Sequence, residues 1–479
     1  MKHSNRLQLQ HLAWRAGFGE TMPVIDQWQD KRRSAIVQAL VHGAGQPVTP
    51  LYVIRDQDMP DYHRRGAGTP EERKAIGQLN TQAIRDLNVS WMLEMINTTY
   101  ALREKMALFW HGHFACRTQQ VFFNQQLLQV IRENALGRFS DLLTAVSKSP
   151  AMLQFLNNQQ NRKQHPNENF AREVMELFTL GRGHYTETDV KEAARAFTGW
   201  GFNETGEFVF RKNAHDDGVK TILGKTGNFN GDDVLQLLCE QEQTARFITR
   251  KLYAFFVNEV VDEDRVAALA RTFYHSHYDI RGLMQHIFSS DFFYDQANMG
   301  TRIKSPVELI VGIRRTIPML FEQEEVMLLF QRILGQLLFY PPNVAGWPGG
   351  RSWIDSSSLM FRMRVPQVIL YSQALNVMPK ELAPEMGEGQ NYKMTLAIND
   401  FLKRQYAQRI KARVNWDPYL AALSGVPREQ LAAAIAGNLL GRNNLAPSLL
   451  EQYADASTRE HYIKTVTIAV MSTPEYQLC

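Results

Sequence analysis

Apolar residues recur at helical spacing along most of the chain, which predicts a mainly α protein. The period is carried by segments at about 23–41, 70–98, 100–111, 120–134, 138–148, 168–180, 187–198, 231–240 and 242–257. It resumes at 263–276, 280–289, 305–316, 324–338, 357–375 and 395–411, followed by three shorter elements. Local start signals support two of these helices. Thr186 with Asp189 has the form of a capping box, and Ser305-Pro306 with Glu308 supplies an N-cap, an N1 proline and an N3 acid. Strand-like alternation is confined to GFNETGEFVF, a short hairpin. The expected fold is a multi-helix globular array with one short β-hairpin and long Pro- and Gly-containing loops. Residues 43–69 form a surface excursion. The Pro- and Gly-bearing stretch 377–394 reads as a linker between a main helical domain, 1–376, and a small helical region, 395–479, packed on or appended to it.

Within this pattern the segment MALFWHGHFAC stands out, because an amphipathic helix runs into two imidazoles. Leu102, Met106, Phe109 and Trp110 share one stripe, and a continued helix adds His113 to it while turning His111 to the other side. Gly112 favours a break, and in an extended segment both rings would project together and could converge on one ligand. The alternative is a core histidine beside a surface one. A second helix, about Glu168 to Leu180 and stopped by Gly181, buries Phe170, Val174, Leu177 and Phe178. Glu173 and Glu176 flank that stripe. A carboxylate pair at this spacing can hold a divalent cation, share a proton or divide acid and base roles, unless an Arg172–Glu176 surface pair neutralises it.

His184 follows that helix, and His215-Asp216-Asp217 lies in the polar loop after the hairpin. Imidazole and carboxylate together suit zinc, manganese or iron, although a loop His-Asp pair also makes an ordinary hydrogen-bonded turn. In FYPPNVAGWPGGRSWIDSSS the prolines and glycines restrict the backbone, and Trp347 and Trp353 are expected to bury their rings as anchors. Arg351 is the loop's cation. The segment either borders a pocket or covers helix ends.

Composition narrows the classes. The chain has 479 residues, 44% hydrophobic and 21% charged, with 53 Lys plus Arg against 49 Asp plus Glu. A formal charge of +4 calls for no nucleic acid, and the basic clusters His63-Arg64-Arg65 and Lys403 to Arg413 read as solvated faces. Cys116, Cys239 and Cys479 form neither a disulfide framework nor a CxxC site. No apolar run is long enough for a membrane span and no leader is evident, so a cytoplasmic protein is expected, unconventional export aside.

Six blocks then resemble one bacterial family in order and spacing, namely HLAWRAGFG, KMALFWHGHFA, NENFAREVMELFTLGRGHYTETDVKEAARAFTGW, HDDGVKTILG, KSPVELI and LGQLLFYPPNVAGWPGGRSWIDSSSLMFR. It is the domain of unknown function 1800 family. The resemblance implies frequent genomic pairing with proteins that look like phosphatases and sulfatases, and export of many relatives. It implies no catalytic residues.

Two readings of the residues follow. In the first the protein is a metal-dependent enzyme, a hydrolase in preference to a redox catalyst. His111, His113 and Glu173 bind a divalent ion, His215 or Asp216 completes the shell, Glu176 is the general base and Arg351 stabilises anionic charge. In the second it is a noncatalytic binding or assembly protein that partners a phosphatase- or sulfatase-like protein. Metal-free acid–base catalysis by Glu173 and Glu176 is a third possibility.

Overall fold

The computed structural model describes residues 5–55, 69–118, 120–371, 410–441 and 446–479. The expected linker at 377–394, most of the 395–411 helix, and His63-Arg64-Arg65 lie outside the described residues. The fold is mainly α, as the apolar period predicts, and its longest helix among the described residues is Pro70–Asn97. Both capping boxes form. Thr186 caps Glu187–Ala196 with Asp189 reciprocating, and Ser305 caps Pro306–Thr316 with Glu308 reciprocating.

The hairpin is present, with Trp200 opposite Phe210 and Phe202 opposite Phe208. Two further antiparallel pairs accompany it among the described residues. Lys220–Ile222 pairs locally with Lys225–Gly227, whereas Met319–Phe321 pairs with Ala412–Val414. That last pair joins segments far apart in the chain, which no local alternation could announce. It also fastens the C-terminal region to the main body, together with the bridge between Ile303 and Leu478.

Ala101–His113 is a deeply buried helix. Only Gly112 on it escapes full burial, so the charged triplet Arg103-Glu104-Lys105 is buried with the rest. Burying charge is costly unless each group is paired and hydrogen-bonded. Glu104 accepts from Arg132 at 2.9 Å, Arg103 at 3.1 Å and the Trp91 indole N–H at 2.9 Å. Lys105 pairs with Glu308 and also donates to the Trp14 carbonyl at 3.1 Å. Glu308 in turn takes both arms of Arg302, at 2.7 and 2.9 Å, and the Ser305 backbone N–H at 2.7 Å. Burial alone would raise the Glu308 carboxyl. The adjacent Arg302 and Lys105 overturn that and hold it well below the ordinary carboxylate range.

The helix runs unbroken through Gly112 to His113, which corrects the expected break. Gly112 has open space where a Cβ would stand, with nothing within 4 Å. Its carbonyl oxygen lies 2.3 Å from where a Cβ on Gly346 would stand, so the Gly-Trp-Pro loop meets this helix backbone to backbone. Two residues apart on a continuous helix, His111 and His113 face opposite sides.

Replacing Glu308 with Gln leaves Arg302 and Lys105 buried without a counter-charge. The expected loss is about 3–5 kcal/mol in urea unfolding. A loss below about 1 kcal/mol would show that these cations find other partners.

Candidate functional site

Local geometry along 169–181 positions the two carboxylates. An α-helix, Asn169–Glu173, passes into a π-helical stretch, Val174–Thr179. The Leu180 N–H reaches the Met175 carbonyl at 2.8 Å, and the Thr179 hydroxyl reaches the Val174 carbonyl at 2.6 Å. Such widened turns are uncommon and are often found at functional sites. Gly181, with φ +82°, ends the helix as predicted. The ring of Phe247 lies where a Gly181 Cβ would point, 2.9 Å away.

Arg172, the expected partner of Glu176, turns elsewhere, to Glu168 at 3.0 Å and Glu187 at 2.7 Å. Glu176 instead accepts a hydrogen bond from the Tyr185 hydroxyl and has the Arg182 guanidinium at 3.6 Å. Burial, followed by this bond to Glu176, pushes Tyr185 up to about 12, so the phenol remains a donor at neutral pH. Glu173 is half-buried and has no hydrogen-bond or ion-pair partner among the described residues. Burial and the neighbouring Glu176 charge raise its carboxyl above the ordinary range, against the opposing pull of Arg172.

The histidines are held by the protein itself. His113 Nε2 lies 3.2 Å from the Phe178 carbonyl and therefore donates, which leaves Nδ1 to accept from Lys251 Nζ at 3.2 Å. His111 Nε2 accepts the Phe339 N–H at 3.2 Å, and Phe339 itself sits at φ +67°. With the Trp91 and Trp347 rings around it, His111 is pushed by burial down to about 3, and burial likewise holds His113 well below its usual value. Both rings are neutral at physiological pH, and neither has a free lone pair.

His215 and Asp216 belong to the turn after the hairpin. His215 Nδ1 donates to the Thr198 carbonyl at 2.9 Å. Asp216 is gripped by Arg195 at 2.8 and 3.2 Å and by the Gly218 N–H at 2.8 Å. The hydrogen bonds from Arg195 bring Asp216 down to about 2. Arg351 is exposed on the short turn Gly350–Trp353 and has no ion-pair partner among the described residues. Trp353 is buried, but Trp347 is only partly so, its ring packed on His111.

Among the described residues no three His, Cys, Asp or Glu side chains stand together as a metal site. A zinc, manganese or iron ion on His111, His113, Glu173 and His215 or Asp216 would require most of these groups to give up their present partners. As arranged, the donor set does not fit an ion.

The family model described as a protein of unknown function, DUF1800, matches residues 11–478. The chain belongs to this family. No curated protein and no solved structure matches it. Three residues of the site went unnoticed in the sequence. Arg182 and Tyr185 flank the exposed His184, which drew attention in their place, and Lys251 resembles any solvated lysine on a helix.

Asp216 tests whether the His215 turn is an ion-paired support. Its depressed carboxyl contributes stability that is complete above the ordinary aspartate range and lost as pH falls through about 2. Asp216→Asn should therefore cost on the order of 1–2 kcal/mol near neutrality, after solvent screening, and nothing near the acid end. A cost that is unchanged across that pH range, measured by urea unfolding, would contradict this role.

Proposed function

We propose that the protein is an acid–base enzyme of the hydrolase type, with Glu173 and Glu176 as its proton-transfer pair. The observation that carries this reading is the unequal environment of two neighbouring carboxylates at the junction of an α-helix and a π-helical stretch. Glu173 lacks a polar partner among the described residues and has a raised carboxyl, whereas Glu176 is held by Tyr185 and Arg182. Carboxylates whose surroundings push them apart in this way divide into an acid and a base. Glu173 retains its proton further towards neutrality and would deliver it to a leaving oxygen. Glu176 would take a proton from the attacking water, oriented by the Tyr185 hydroxyl. Arg182 places positive charge beside the pair, which gives it the anion-stabilising role expected of Arg351.

No helix among the described residues is long and apolar enough to cross a membrane. A phosphatase- or sulfatase-like partner remains compatible with this reading, as a protein that supplies or consumes the same substrate.

The test uses p-nitrophenyl acetate, phosphate, sulfate and glucoside as probes, with and without a chelator. Wild-type protein should turn over at least one of them in the chelator's presence. Glu173→Gln and Glu176→Gln should each lower that rate about 10²–10⁴-fold without lowering thermal stability. Turnover that survives both substitutions would contradict the assignment. Absence of any turnover, combined with stable capture of a phosphatase-like protein, would favour the assembly reading.

A further inference from the structure

A second reactive group lies behind the same π-helical stretch, on the helix Glu242–Phe256. Lys251 reaches inward, and its Nζ donates to His113 Nδ1 at 3.2 Å and to the Leu177 carbonyl at 3.4 Å. The ring of Phe247, one turn earlier, lies 4.8 Å from the nitrogen and covers one side of it. Other deeply placed amines are compensated. Lys105 has the Glu308 carboxylate, and Lys304 stands between the Trp14 and Tyr476 rings while donating to the Tyr476 carbonyl. Lys251 has no carboxylate partner among the described residues.

The hydrogen bonds around this amine are what matter chemically. An ammonium has three N–H donors, and only two find acceptors among the described residues. The two acceptors are fixed. Phe178 holds the His113 tautomer that presents a lone pair at Nδ1, and Leu177 is anchored in the helix. Loss of the third proton breaks neither bond and leaves the nitrogen lone pair directed away from both acceptors. The residue as a whole is only partly buried. Burial brings the amine down to about 8, which leaves a substantial neutral fraction at physiological pH.

The geometry points to Lys251 as an imine-forming nucleophile for a small aldehyde or ketone. The neutral amine attacks the carbonyl carbon, and a C–N bond forms as one N–H proton moves to the oxygen, giving a carbinolamine. Loss of that hydroxyl with the second N–H proton, as water, leaves the imine. No oxidant or reductant is consumed. If the imine is protonated, its single N–H retains the hydrogen bond to His113 Nδ1. The neutral imidazole thus acts as a positioning group, since burial keeps it too weak a base to remove the proton outright. This inference stands independently of the Glu173–Glu176 pair.

Reductive labelling of the full-length protein tests it, with glyceraldehyde as the carbonyl probe, cyanoborohydride as the trap and peptide mass mapping as the readout. At neutral pH Lys251 should label roughly tenfold or more faster than the exposed Lys31 and Lys411. Its labelling should rise with a midpoint near 8. Lys251→Arg should remove that one labelled peptide and leave the others unchanged, with circular dichroism confirming the fold. Glu176→Gln should label at Lys251 as the wild type does. The inference is overturned if Lys251 stays unlabelled, or if it labels at the rate and pH midpoint of the exposed lysines.

Discussion

Glu308 is fully buried, and it neutralises two buried cations from different parts of the chain. Its carboxylate joins Lys105 on the buried helix Ala101–His113 to Arg302, and it also closes the cap of its own helix through Ser305. The desolvation cost of such an arrangement is recovered only with full hydrogen bonding, which Glu308 has on both oxygens. Glu104, one residue from Lys105, does the same for Arg103 and Arg132. These two knots fix the depth and rotation of Ala101–His113. Everything at its C-terminal end follows from that placement, including His113 under the Phe178 carbonyl and Gly112 under the Gly346 loop.

The functional proposal rests on this rigidity. Because His113 is held from one side by the π-helical stretch and from the other by Lys251, the stretch has a fixed neighbour across its inner face. The junction of the α-helix with this stretch carries Glu173 and Glu176, which differ only in what surrounds them. Tyr185 and Arg182 come from the loop released by Gly181, so the same helix end that completes the turn also supplies the groups that hold Glu176. Electrostatic asymmetry between identical side chains is thus produced by backbone geometry within about one turn of helix.

Local features were legible in the sequence because their causes are local. The capping boxes at Thr186 and Ser305, the Gly181 stop and the Trp200–Phe210 hairpin are set by residues a few positions apart. Features decided by distant partners were not. Glu308 reads correctly as an N3 capping acid, but nothing in its surroundings announces Lys105, 203 residues away. Likewise Asp216 looks available as a ligand until Arg195 grips it across the hairpin. Gly112 is permissive towards a break, yet the packed helix has no reason to break there, and it is Gly346 whose missing side chain allows the loop to approach the Gly112 carbonyl. The π-helical stretch is too short to alter the apolar period, so the spacing of Glu173 and Glu176 was visible while the geometry that separates their environments was not.

The central claim is that burial and the neighbouring Glu176 raise the Glu173 carboxyl above the ordinary glutamate range. The direct measurement is the titration of its side-chain carboxyl by ¹³C NMR, assigned by comparison with Glu173→Gln. The account predicts a midpoint above the ordinary glutamate range in the wild-type protein, moving back towards that range in Glu176→Gln, where the neighbouring charge is gone. A Glu173 carboxyl that titrates at or below the ordinary range, and does not respond to loss of Glu176, would contradict it.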